Sequence, residues 1–151
     1  MRQRYLEDFK LGEVFVSESQ TLTEKHFAAF AQMTDDSHPI HYDPEYACSK
    51  GWKAPLAHGL LLLGICAIGA APLSEELTDS MVAMLGNDVR YLRPSVIGDT
   101  VTPEFTVIAI EPKDDDRGIL RLAIALRNQR GELVLEGTHV VMLKRRKGKK
   151  D

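Results

Sequence analysis

A chain of 151 residues, 44% hydrophobic and 27% charged, is sized for one domain with a real core, and no second domain is expected. Two cysteines make no disulfide framework. The formal charge of −3 is uneven: residues 144–151 hold six Lys/Arg and one acid, a formal +5, which leaves −8 on residues 1–143.

In chain order, residues 1–8 carry early charge and no apolar stretch of the kind a secretory signal needs, so the cytoplasm is the expected compartment. A first strand is expected over 11–21. Thr23 then precedes Glu24 and the periodic set Phe27, Phe30 and Met33, which predicts an N-capped amphipathic helix with the two phenylalanines in the core. Pro44, Glu45, Tyr46 and Ala47 suggest a short second helix with Pro at a favourable first position. From 59 to 71 every residue is apolar or glycine, and Pro72 closes the run. Thirteen residues fall short of the roughly 20 that span a bilayer, so the segment is expected as a long helix buried inside the domain. Cys66 would sit within it as a small hydrophobe. Strand-like segments come next at 82–92, 100–111, 118–128 and 133–144, joined by turn-rich links such as Asp114-Asp115-Asp116-Arg117-Gly118 and Asn128-Gln129-Arg130-Gly131. One apolar helix and an antiparallel meander make an α+β domain over 1–144 in which a curved sheet wraps the helix. Residues 145–151 are expected as a basic, solvated tail. No nucleic-acid or membrane partner is assigned to it.

The chemistry concentrates in Asp36-Ser37-His38-Pro39-Ile40-His41. Pro39 lacks an N–H and pushes the preceding residues toward extended geometry, so this stretch is a loop rather than more helix. A carboxylate and an imidazole aimed at one small molecule can divide the acceptance and donation of a proton. Asp36 could instead only cap its own loop. His38 and His41 with Asp36 or Asp43 offer metal ligands, but no Cys pair or His-x3-His helix completes the set that zinc takes, and no metal is expected. Gly59 opens the apolar run with no side chain to block a ligand. Its N–H can donate to an oxyanion, although close packing would also call for glycine. His58 reads as a structural partner in that turn.

The loop resembles a motif of the MaoC-like dehydratases, a family that includes the (R)-specific enoyl-CoA hydratases: Gly-Asp-x-Asn-Pro-(Leu/Ile/Val)-His with a small residue six positions on. Here it reads Asp35-Asp36-Ser37-His38-Pro39-Ile40-His41 with Ala47. Asp35 stands where the family usually has Gly, and His38 where it has Asn. Pro55-Leu56-Ala57-His58-Gly59-Leu60 is similar to the family's entry into its central helix. The likeness extends from Phe9-Lys10-Leu11-Gly12, through the turn Arg93-Pro94-Ser95-Val96-Ile97-Gly98-Asp99-Thr100, to Glu136-Gly137. It implies a hot-dog fold, a homodimer or larger homo-oligomer, and reversible addition of water to a 2-enoyl thioester such as enoyl-CoA. Asp36 and His41 would be the catalytic pair, and Gly59 and His38 would face the carbonyl or substrate. No organic cofactor is implied, because the thioester already acidifies the carbon. A hot-dog thioesterase would share fold and substrate class, usually with an acid on or beside the central helix, and 59–71 holds none. A non-catalytic acyl-thioester-binding module is the other alternative, kept open by the replacements at Asp35 and His38.

Overall fold

A computed structural model describes residues 2–146, apart from the side chain of Ala70. Six strands form one antiparallel sheet: β1 (Val14–Val16), β2 (Gln20–Thr21), β3 (Met81–Tyr91), β4 (Thr100–Pro112), β5 (Arg117–Arg127) and β6 (Leu133–Lys144). The order is β1-β4-β5-β6-β3, with β2 also on β4. The last three strands are a meander, as expected, but β3 crosses over to pair with β6 on the far side. The single first strand expected over 11–21 is two short ones.

Alternation along the strands explains which face is buried. Val101, Phe105 and Val107 on β4, Leu120, Leu122, Ile124 and Leu126 on β5, and His139, Val141 and Leu143 on β6 point to one side. That side packs on Phe27 of α1 (Glu24–Thr34) and on Leu62 and Ile65 of α3 (Gly59–Ile65), while Phe30 of α1 is buried against His58. The shorter helices are α2 (Pro44–Ser49) and α4 (Leu73–Glu76). Thr23 caps α1 as expected, exchanging hydrogen bonds with His26, whereas Met33 is three-quarters exposed and lies outside the core. This is the hot-dog architecture, α+β, with a curved sheet around a central apolar segment. Gly137 is forced by crowding: a Cβ there would come within 2.1 Å of the Asp88 carbonyl on β3.

The central helix is shorter than the apolar run. It stops at Ile65, Ala67 turns extended, and a 3₁₀ turn covers Ile68–Ala70 before α4. Two causes act together. Gly64 and Gly69 weaken helix propensity, and His139 on β6 takes the Cys66 carbonyl, its Nε2 lying 2.8 Å away. A carbonyl accepts only, so Nε2 carries the hydrogen; Nδ1 meets the Asn87 side chain. Cys66 therefore closes the helix instead of lying within it, and it remains buried.

Strand β6 ends at Lys144, and Arg145 and Arg146 beyond it are not loose. Arg145 Nε donates to Glu7 at 2.8 Å, and Arg146 pairs with Asp8 and covers the Tyr5 ring. The rest of the basic tail, residues 147–151, lies outside the described residues.

Burial pushes the pKa of His58 and His139 below the ordinary histidine value. Between that lowered value and about 6.5, the unfolded chain binds protons that the folded chain refuses, so stability falls as pH drops through this window. Urea unfolding should show a lower midpoint at pH 5.5 than at pH 7.5, and His139→Gln should flatten the difference. An equally steep dependence in the variant would remove His139 from this account.

Candidate active site

The loop after α1 is shaped by three local devices. Asp35 closes the helix in the left-handed conformation, φ 58°, the one non-glycine residue with positive φ among those described. Asp tolerates that region better than most side chains, which explains how it replaces the glycine of the motif. Asp36 Oδ1 then accepts the His38 N–H at 3.3 Å, and His38 Nδ1 accepts the Ile40 N–H at 3.3 Å, capping the 3₁₀ turn Pro39–His41. An asparagine carbonyl could cap in the same way, so His38 keeps the local role of the residue it replaces. Its exposed ring stands edge-on to His41, centroids 6.4 Å apart. Asp43 caps α2 through the N–H groups of Glu45 and Tyr46 and is committed there.

These turns leave Asp36 Oδ2 free of hydrogen bonds among the described residues, and two imidazoles face it. His41 Nε2 and His58 Nε2 each lie 4.0 Å from Oδ2. The rings stack with centroids 3.8 Å apart at 24°. His58, read from sequence as structural, is thus a member of the cluster. It is 2% exposed, wedged against Phe27 and Phe30, and in contact with the Tyr42 hydroxyl. A histidine flanked by Ala57, Gly59 and Leu60 was the available signal, since a buried imidazole needs a partner.

His41 Nδ1 lies 2.7 Å from the Leu56 carbonyl. The carbonyl accepts only, so Nδ1 carries the hydrogen and Nε2 presents a bare lone pair toward Asp36. A bare imidazole nitrogen and a carboxylate oxygen cannot bond each other. At 4.0 Å they are too far apart for a direct hydrogen bond but suited to one water that donates a hydrogen to each. Asp36, His41 and His58 also bring ligand atoms within 4.8 Å of one another, a spacing a cation could share, but His58 Nε2 is engaged by Tyr42.

Gly59 comes after His58 as the first residue of α3. The Leu62 N–H is the first to bond back into the helix, at His58 C=O, and among the described residues no side chain caps this end. The Gly59 N–H therefore has no intrahelical acceptor. A Cβ at Gly59 would meet the Tyr91 ring at 2.9 Å, so close packing also demands glycine here. Beside it opens a cleft of about 430 Å³, lined by Trp52, Leu56, Ala57, Gly59, Tyr91 and Arg93 among others.

The family model for the MaoC like domain matches residues 8–123. The chain belongs to this family. It is 32% identical over 116 residues to an (R)-specific enoyl-CoA hydratase of Aeromonas caviae, covering 77% of this chain and 82% of that protein. Among solved structures, a monoamine oxidase regulatory protein from Archaeoglobus superposes with a TM-score of 0.89 at 32% identity, covering 97% of each chain. A MaoC-like dehydratase from Rhodospirillum rubrum gives 0.83 at 29% identity, covering 95% of this chain and 98% of that one.

Proposed function

We propose that this MaoC-like protein is a hydro-lyase that reversibly adds water to a 2-enoyl thioester, most simply an enoyl-CoA. The observation that carries the reading is the 4.0 Å gap between two bare acceptors, Asp36 Oδ2 and His41 Nε2. A water donating both hydrogens to this pair presents its oxygen lone pairs outward. As the oxygen attacks C3, one acceptor of the pair takes a proton, and the C2=C3 electrons move onto the thioester oxygen. The Gly59 N–H stabilises that enolate-like oxygen. The pair then returns the proton to C2, so water is added across the double bond with nothing left over. The relatives named as hydratases support the same chemistry. The cleft beside Gly59, mostly apolar with Arg93 at its rim, is a suitable place for the acyl thioester.

A homodimer joined along β3 fits this reading. Among the described residues β3 pairs only with β6, leaving one edge open, and Val82, Met84, Leu85 and Tyr91 are each over two-fifths exposed on it. An open apolar edge is a liability that pairing removes. His38, whose ring is exposed near His41, is proposed as a contact for substrates carrying an extra carboxylate or hydroxyl.

Asp36→Asn and His41→Gln should each lower turnover of crotonyl-CoA by about 10²–10⁴-fold, the range for a positioned acid or base, with folding little changed. Loss of the conjugated-thioester absorbance measures hydration, and a free-thiol assay run beside it reports any thioester hydrolysis. Near wild-type rates in both variants would sink the pair, and thiol release without hydration would favour the thioesterase.

Sedimentation equilibrium should return twice the 16.9 kDa chain mass or a larger multiple. A monomer at micromolar concentration would reject the β3 pairing. His38→Asn should keep stability within about 0.5 kcal/mol, because the cap survives, while lowering the efficiency ratio between an acidic enoyl-CoA and crotonyl-CoA. An unchanged ratio would leave His38 as a loop-shaping residue.

A further inference from the structure

Tyr42 has no part in the chemistry above, yet its hydroxyl sits at the centre of the cluster. The oxygen lies 2.8 Å from the Asp36 carbonyl, 3.4 Å from the Phe27 carbonyl and 2.7 Å from His58 Nε2. A phenol has one hydrogen. Were it given to His58, the two carbonyls would face a hydroxyl oxygen with no hydrogen between, a repulsive contact. The hydrogen therefore goes to Asp36, the nearer carbonyl, and the phenol oxygen meets His58 as an acceptor. His58 Nε2 must then carry the ring proton. The remaining nitrogen, Nδ1, is buried without a partner among the described residues, which is tolerable for a bare lone pair and costly for an N–H.

This proton placement bears on Asp36. His58 Nε2–H has the Tyr42 oxygen at 2.7 Å, the Asp36 main-chain carbonyl as a further acceptor beside it, and Asp36 Oδ2 at 4.0 Å, outside hydrogen-bond range. We propose that Tyr42 is a positioning residue for the Asp36–His41 water site: it locks His58 as the Nε2–H tautomer and holds that N–H off the Asp36 carboxylate. The kinetic consequence rests on the hydratase reading, whereas the tautomer rests on geometry alone.

With Phe at position 42, the polar neighbours left to His58 Nε2–H are the Asp36 carbonyl and Asp36 Oδ2, and a small shift of the ring closes the gap to the carboxylate. The carboxylate then spends a lone pair on His58 rather than on water. The charge on His58 is set by the groups that face it. Asp36 comes from the loop, His41 stacks on it, and Phe27 and Phe30 of α1 close its apolar sides; His38 stands beyond His41. Asp36 is the one that favours a His58 cation, while burial and His41 oppose it, and burial dominates in the wild type. A direct Asp36 contact shifts that balance toward the cation.

The test is ¹⁵N NMR of the histidine rings in the full chain from pH 6 to 8, with His58→Gln used to assign the His58 signals. We expect wild-type His58 to hold its proton on Nε2 and not to titrate, and His58 in Tyr42→Phe to keep that proton on Nε2 and begin to titrate. Kinetically, the acid limb of the kcat profile in Tyr42→Phe should move up by about half to one pH unit with KM little changed. Adding His58→Gln should abolish that shift, because an amide keeps a donor and takes no charge. A wild-type proton on Nδ1, or a His58 titration and acid limb unmoved in Tyr42→Phe, would overturn the proposal. A Tyr42→Phe chain too unstable to study leaves the wild-type tautomer to decide. Failure of the wild type to hydrate any enoyl thioester would reject the hydratase reading and leave the ring-nitrogen result to judge Tyr42.

Discussion

The backbone of Leu56 holds the site together. Its N–H donates to Ile40 at 3.0 Å, and its carbonyl accepts His41 Nδ1–H at 2.7 Å, so loop and helix entry are tied in both directions. Leu56 also bridges to Val96, and Ala57 N–H donates to Ser95, which anchors the same segment to the connection between β3 and β4. Closing a loop across 15 residues has an entropic cost, and the surrounding fold holds it closed. The tautomer of His41 is set by this one carbonyl. So is the direction of its lone pair, and with it the gap to Asp36.

That dependence explains which parts of the site were legible in the sequence. Asp36 and His41 stand out because carboxylate and imidazole are crowded into a few residues beside Pro39. The bond that turns the free nitrogen of His41 toward Asp36 is made by a main-chain carbonyl, which has no side-chain signature and could not be read. His58 and Tyr42 were visible as residues, but their partnership depends on a hydroxyl reaching 16 positions along the chain. The two departures from the family motif have local explanations in backbone geometry: a left-handed helix cap for Asp35 and a turn cap for His38.

The fold divides along the same line. Strands β4, β5 and β6 were readable to within one or two residues, because alternation and turn chemistry are local properties of the chain. The end of α3 was not, because His139 lies 73 residues from the carbonyl it captures. Periodicity also gave no warning that β3 would leave the meander for the far side of β6. Charge alone made 145–151 look like free tail, whereas Arg145 and Arg146 find acids 138 positions away in the N-terminal turn.

The burial of Cys66 reaches into how the protein can be handled at the bench. Desolvation pushes its thiol up to about 12, so near pH 8 only about one molecule in 10⁴ carries the thiolate there, and the folded core shields even that fraction. Cys48, at the surface of α2, is exposed. Electrophilic labels should therefore react at a single site per folded chain, a few residues beyond the Asp36–His41 loop. A reporter dye attached there would sense the loop from outside without entering the pocket's core.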